Sequence, residues 1–192
     1  MFTATTLLKL SLALLTASST MVASLPPSNS LKPTLHRRVC HEGETANLYC
    51  YTEENGGIPQ EVSEDDIKYA ASYLRSYGRQ VRAGRLLTMG PSELGTCDEW
   101  TLYQRGSVLV TAKHINDTAN SAVLFEDVAT TIDGGPGATD AQKAKAIIGC
   151  LSDGGSLGVM VNRTHPMYNS TTYVTNRYTS SGIVIKVVSS GQ

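Results

Sequence analysis

Between residues 63 and 78 the apolar positions recur at helical spacing, with Ile67, Ala70, Leu74 and Tyr77 on one face. Ser63 stands before them as a natural N-cap. Glu64, Asp65 and Asp66 fill the first turn, where the helix dipole favours anions, and Gly78 supplies a stop. Upstream the pattern is different: residues 45–52 are rich in aromatic and β-favouring side chains and predict a short strand, broken at Asn55-Gly56-Gly57. Downstream, Trp100 to Tyr103 and Val108 to Ile115 predict two strands joined by a turn at Arg105-Gly106. Asn120 or Ser121 then caps a second predicted helix. Leu124, Phe125, Val128 and Ile132 face inward, and Gly134-Gly135 ends it. Thr139 and Gln142 are spaced as a capping box opening a third helix to about Cys150, with Ala144, Ile147, Ile148 and Leu151 inward. Leu157 to Val161 and Ile183 to Val188 read as the last strands. This order predicts an α+β sandwich, a mostly antiparallel sheet with two to three helices on one face, stabilised by disulfides. Strict strand–helix alternation, the mark of a doubly wound parallel sheet, is absent.

The apolar run Leu7, Leu8, Leu10, Leu12, Ala13, Leu14 and Leu15 is a different kind of pattern. With Lys9 near its start and small residues after it, it reads as a secretory signal peptide over residues 1–24, shorter than the roughly 20 residues a bilayer span needs. Residues 25–38 carry three prolines, two of them adjacent, no acid, and end in Arg37-Arg38, so they read as a propeptide released at a dibasic processing site. The expected product is residues 39–192, a single α+β domain, secreted and extracellular, with no transmembrane segment. At 154 residues it is long enough to bury roughly 70% of its unfolded surface.

Charge narrows the partners. The chain has 16 Lys and Arg against 17 Asp and Glu, and four of the basic residues but none of the acids precede Val39. The remaining net charge of −5 argues against nucleic acid as a partner. Cys40, Cys50, Cys97 and Cys150 form an even set with no zinc-ligand spacing, so they read as two disulfides with three pairings open. Asn116, Asn162 and Asn169 each begin an Asn-X-Thr sequon and are glycosylation candidates.

Candidate chemistry is sparse. If the strands around Trp100 and Val110 pair, His114 and Glu99 are the ingredients of general acid–base catalysis, as in a small ribonuclease-like hydrolase. His41 and His165 are the other histidines of the mature chain, and no nucleophile motif accompanies any of them. Arg75, Arg79, Arg82 and Arg85, interleaved with Tyr69, Tyr73 and Tyr77, form a candidate partner-binding strip. Asp133-Gly-Gly and Asp153-Gly-Gly read as helix punctuation, since neither has the alternating oxygen ligands of a calcium loop. No metal and no cofactor is expected.

Several residues together carry a resemblance: the dibasic leader at Arg37-Arg38, the strand Leu48-Tyr-Cys-Tyr51, the entry Gly95-Thr-Cys-Asp-Glu-Trp100, the helix ending in Asp133-Gly-Gly and the hydrophobic closing strand. This pattern resembles fungal secreted effectors of the necrosis-inducing kind and, more distantly, smut killer toxins. The killer toxins carry more cysteines than the four here. The resemblance implies secretion, an α+β sandwich and a non-catalytic role, binding an extracellular protein, glycan or membrane target of a host or competitor as a monomer. A secreted hydrolase using His114, and a cell-wall-associated structural protein, are the alternative readings.

Overall fold

The computed structural model describes residues 44–91, 99–116 and 118–192, all within one compact unit. Seven strands and four helices follow in chain order: β1 (Tyr49–Cys50), α1 (Glu64–Arg79), β2 (Leu86–Met89), β3 (Glu99–Arg105), β4 (Val108–His114), β5 (Ser121–Leu124), α2 (Phe125–Asp133), α3 (Asp140–Lys143), β6 (Gly155–Gly158), α4 (Thr171–Thr175) and β7 (Ile183–Ser189). Five strands make one antiparallel sheet in the order β1-β6-β7-β4-β3, and β2 pairs antiparallel with β5 as a separate two-stranded sheet. The fold is the α+β arrangement that the pattern predicts.

Side-chain alternation divides the main sheet into two faces. Ala112, Ile185 and Leu157 lie in one cross-strand row, Val110 and Val187 in the next, and both join the core. Against this face pack Ile67, Ala70, Ala71 and Leu74 of α1 with Val128, Ala129 and Ile132 of α2. The opposite face carries charge and is nevertheless buried: Lys113 and Lys186 are 4% and 2% exposed. Lys113 Nζ lies 2.9 Å from one oxygen of Glu44, and Lys186 Nζ lies 2.9 Å from the other. Lys186 also pairs with Glu99, which accepts the Thr111 hydroxyl. Two lysines and two glutamates thus alternate in a buried chain beneath β4 and β7.

Several elements depart from the sequence reading: the first strand is confined to Tyr49–Cys50 within the expected 45–52, and β6 runs Gly155–Gly158 where Leu157 to Val161 is expected. Helix α1 does not stop at Gly78 but runs through it, because Gly78 is a packing position: a Cβ there would sit 3.1 Å from Phe125 Cβ and 3.2 Å from Glu126 N. Residues 121–124 are strand, not the start of the second helix; their pairing with β2 keeps all four buried. The third helix closes its capping box between Thr139 and Gln142, then gives way after Lys143 to 3-10 turns over Ile147–Asp153. Leu151, read as inward, is 56% exposed and has φ 55°, since the chain turns there with Cys150 bridged to Cys50. Ser63 holds its place through a different bond: its N–H donates to Ser107 Oγ, and Ser107 donates from N and Oγ to Asp66. These bonds fix the start of α1 to the β3–β4 turn and hold the Asp66 carboxyl below its ordinary range.

Cys50 and Cys150 form a disulfide, one of the pairings left open, joining β1 to the turn before β6. Cys40, Cys97, Arg37, Arg38 and the leader lie outside the described residues.

Candidate functional site

His114 and Glu99 occupy opposite faces of the sheet. Glu99 pairs in register with Lys113, so it shares that residue's face, and His114 as the next residue points the other way. Glu99 is committed to Lys186 and Thr111. His114 Nε2 lies 2.8 Å from Ser121 Oγ, and that hydroxyl donates to Ser181 O at 2.7 Å. With the serine proton so placed, Nε2 carries the hydrogen and donates it. A serine activated for attack would instead give its proton to the imidazole. Ser121 is fully buried and His114 is 3% exposed, so the pair works as a brace between β4, β5 and the loop before β7.

The arginine strip is broken up by internal partners. Arg75 Nη2 lies 2.6 Å from Asp133 Oδ1, and Arg79 Nε lies 2.8 Å from Glu126 Oε2. Arg85 sits over the Tyr77 ring at 4.0 Å and donates to its carbonyl. Arg82 is exposed and has no ion pair among the described residues.

The tyrosines, by contrast, are brought together. Tyr103 from β3 stacks 4.2 Å from Tyr73 and 6.4 Å from Tyr69, with ring planes 25° apart in both pairs. Tyr77 continues the row from Tyr73 and meets Phe125 edge-on. Arg105 closes one end, 3.5 Å over Tyr69, and Arg85 the other. The column exists because i, i+4, i+8 spacing lines the α1 tyrosines along one flank. A bulge between Thr101 and Tyr103 sets Tyr103 opposite Val110, on the helix-covered face. Tyr69, Tyr73 and nearby Trp100 are 46%, 44% and 48% exposed. Periodicity alone identifies the α1 members; Tyr103 comes from a strand 26 residues further on, which no local signal reveals.

A cleft of about 620 Å³ opens on the other side of α1, lined among others by Arg75, Arg79, Glu126, Asp127, Asn162 and His165. Asp127, in the first turn of α2, is its buried anchor: Oδ2 accepts the Tyr168 hydroxyl at 2.5 Å and the Asn162 N–H at 3.2 Å. Tyr168 also accepts the Leu124 N–H. These bonds tie Asn162 and Tyr168 to the end of β5 and the start of α2. His165 Nδ1 accepts from Met167 N, which leaves Nε2 with its hydrogen when the ring is neutral. Burial raises the Asp127 pKa, opposed by the bonds from Tyr168 and Asn162. The raised value means that the protonated carboxyl favours folding. Its contribution is complete below the ordinary carboxylate pKa of 3.8 and is lost as pH rises through the folded value. Wild-type stability measured against Asp127→Asn is therefore expected to fall with rising pH across that window. A gap that widened in the opposite sense would contradict it. Asp127→Ala, which strands the Tyr168 and Asn162 donors, is expected to cost about 1–3 kcal/mol in urea unfolding.

All three sequon asparagines are exposed. Thr118 and Thr164 each donate a hydroxyl bond to the Oδ1 of their own asparagine, Asn116 and Asn162. The Asp133-Gly-Gly turn is punctuation of the expected kind: Gly134 caps α2 in the left-handed region at φ 81°, and Asp133 accepts the Gly135 N–H. Among the described residues no helix is long and apolar enough to cross a membrane. No protein-family model, no curated protein and no solved structure matches this chain.

Proposed function

We propose that the protein is a secreted, non-catalytic, effector- or toxin-like protein that acts by binding an extracellular molecule of a host or competitor. The observation that carries this reading is the column of Tyr69, Tyr103 and Tyr73, its α1 members half-exposed, flanked by Arg105, with half-exposed Trp100 on the same strand as Tyr103. Tyrosine, tryptophan and arginine dominate binding hot spots because they supply much contact area for little lost side-chain entropy. Here stacking fixes the rings before any partner arrives. The stacked tyrosines cover one another's faces. That favours the surface of a protein over a base or sugar, which needs an open ring face. The disulfide suits an oxidising compartment.

The test applies secreted protein to plant tissue and to competing fungal cultures, scoring necrosis or growth arrest. Tyr73→Ala and Trp100→Ala are each expected to weaken the response by about 30-fold at unchanged melting temperature, the effect of a hot-spot loss near 2 kcal/mol. Turnover of RNA, polysaccharide or peptide substrates that His114→Ala abolishes would overturn the reading. So would retention of tagged protein in the producer's cell wall.

A further inference from the structure

We infer that the cleft beside α2 is the seat of the chain's own N-linked glycan, rooted on Asn162. Its size comes first: about 620 Å³ lies inside the range of roughly 300–1,000 Å³ that encloses a small ligand. Charge comes next. Arg75 is paired with Asp133 and Arg79 with Glu126, and Asp127 adds another carboxyl to the lining, so the cleft offers an anion no net attraction. What remains are hydrogen-bonding edges: the outer nitrogens of Arg79, the second oxygen of Glu126 and Nε2 of His165, beside the apolar surfaces of Met160 and Pro136. Neutral, many-hydroxyl sugars with an acetamido methyl match that mixture.

The occupant follows from where Asn162 stands. It lines the cleft itself, and its sequon is complete at Thr164. Its backbone N–H is tied to Asp127, and its Oδ1 is held by the Thr164 hydroxyl at 2.6 Å and the Thr164 N–H at 3.2 Å. Nδ2, the atom that would carry the sugar, has no hydrogen bond among the described residues. A glycan leaving that atom starts at the rim of a polar cleft from a root held at both ends. Asn116 and Asn169 are not among the residues that line this cleft, and they serve as internal controls.

The inference rests on the secreted reading, and the test separates the two. Protein secreted from a eukaryotic host is mapped by glycopeptide mass spectrometry, then followed by hydrogen exchange in wild type, Asn162→Gln, Thr164→Ala, Thr164→Ser and Asn169→Gln. A glycan on Asn162 is expected. Peptides covering 134–137 and 159–165 should exchange about ten-fold faster in Asn162→Gln and Thr164→Ala, and at the wild-type rate in Thr164→Ser and Asn169→Gln. Glycans on Asn116 or Asn169 with Asn162 bare overturn this inference and leave secretion standing. A glycan on Asn162 whose removal changes no exchange rate also overturns it. Protein retained in the cytosol with all three sequons bare overturns both.

Discussion

Cutting the Cys50–Cys150 bridge by replacing both residues with alanine is expected to lower the unfolding free energy by about 4–5 kcal/mol. The bridge spans 100 residues, and for a closed loop of about that length the lost denatured-state entropy amounts to roughly 4.7 kcal/mol. Against a total of about 5–15 kcal/mol for a domain, that is a large share. The native state should open where the bridge acts. Strand β1 is only two residues long and pairs with β6 through Tyr49–Ser156 and Cys50–Gly155, so the covalent tie does more to hold it than its own ladder does. Gly155 sits close beneath it, since a Cβ there would lie 2.7 Å from Tyr49 O. Guanidinium unfolding should show the loss, and hydrogen exchange should show it earliest in residues 44–51. A loss under about 1 kcal/mol would mean that the β1 end is held by packing and not by the bridge.

Local signals made part of this fold readable. The β3–β4 hairpin was legible because its strands alternate and Arg105-Gly106 marks the turn between them. Helix α1 was legible because one face repeats over sixteen residues. The β2–β5 pair was not, because each strand is four residues long and the partners stand some 35 positions apart. Ser121 to Leu124 flow straight into α2, so a continuous apolar run concealed a change from strand to helix. The candidate sites divide in the same way. The α1 tyrosines announced themselves by spacing, while Asp127 and Tyr168 meet across 41 residues with no motif between them. Glu99 and His114 were rightly placed on paired strands, but on which face each fell depended on register. The burial of Lys113 and Lys186 was not legible either, because the glutamates that accompany them come from distant positions with no motif to link them.

That buried quartet is where a single substitution should do the most harm. Lys186→Met is expected to cost about 3–5 kcal/mol, the range for removing one partner of a buried ion pair. The reason is charge balance. Two lysines and two glutamates neutralise each other at 3–5% side-chain exposure, and without Lys186 one negative charge is left without compensation beneath the sheet. Glu44 keeps Lys113, while Glu99 keeps the Thr111 hydroxyl but loses its lysine. Adding Glu99→Gln restores neutrality, so the double variant should be more stable than the lysine variant alone, with a coupling of about 0.5–3 kcal/mol. Lys68→Met removes a cation whose partners Glu64 and Asp65 are exposed, and it should change stability by less than about 0.5 kcal/mol. Salt separates the two classes again: 1 M sodium chloride, with a screening length of about 3 Å, should erase the small Lys68 effect and leave the Lys186 deficit intact. Additive losses in the Lys186→Met/Glu99→Gln cycle would show that Lys186 and Glu99 do not act as one unit.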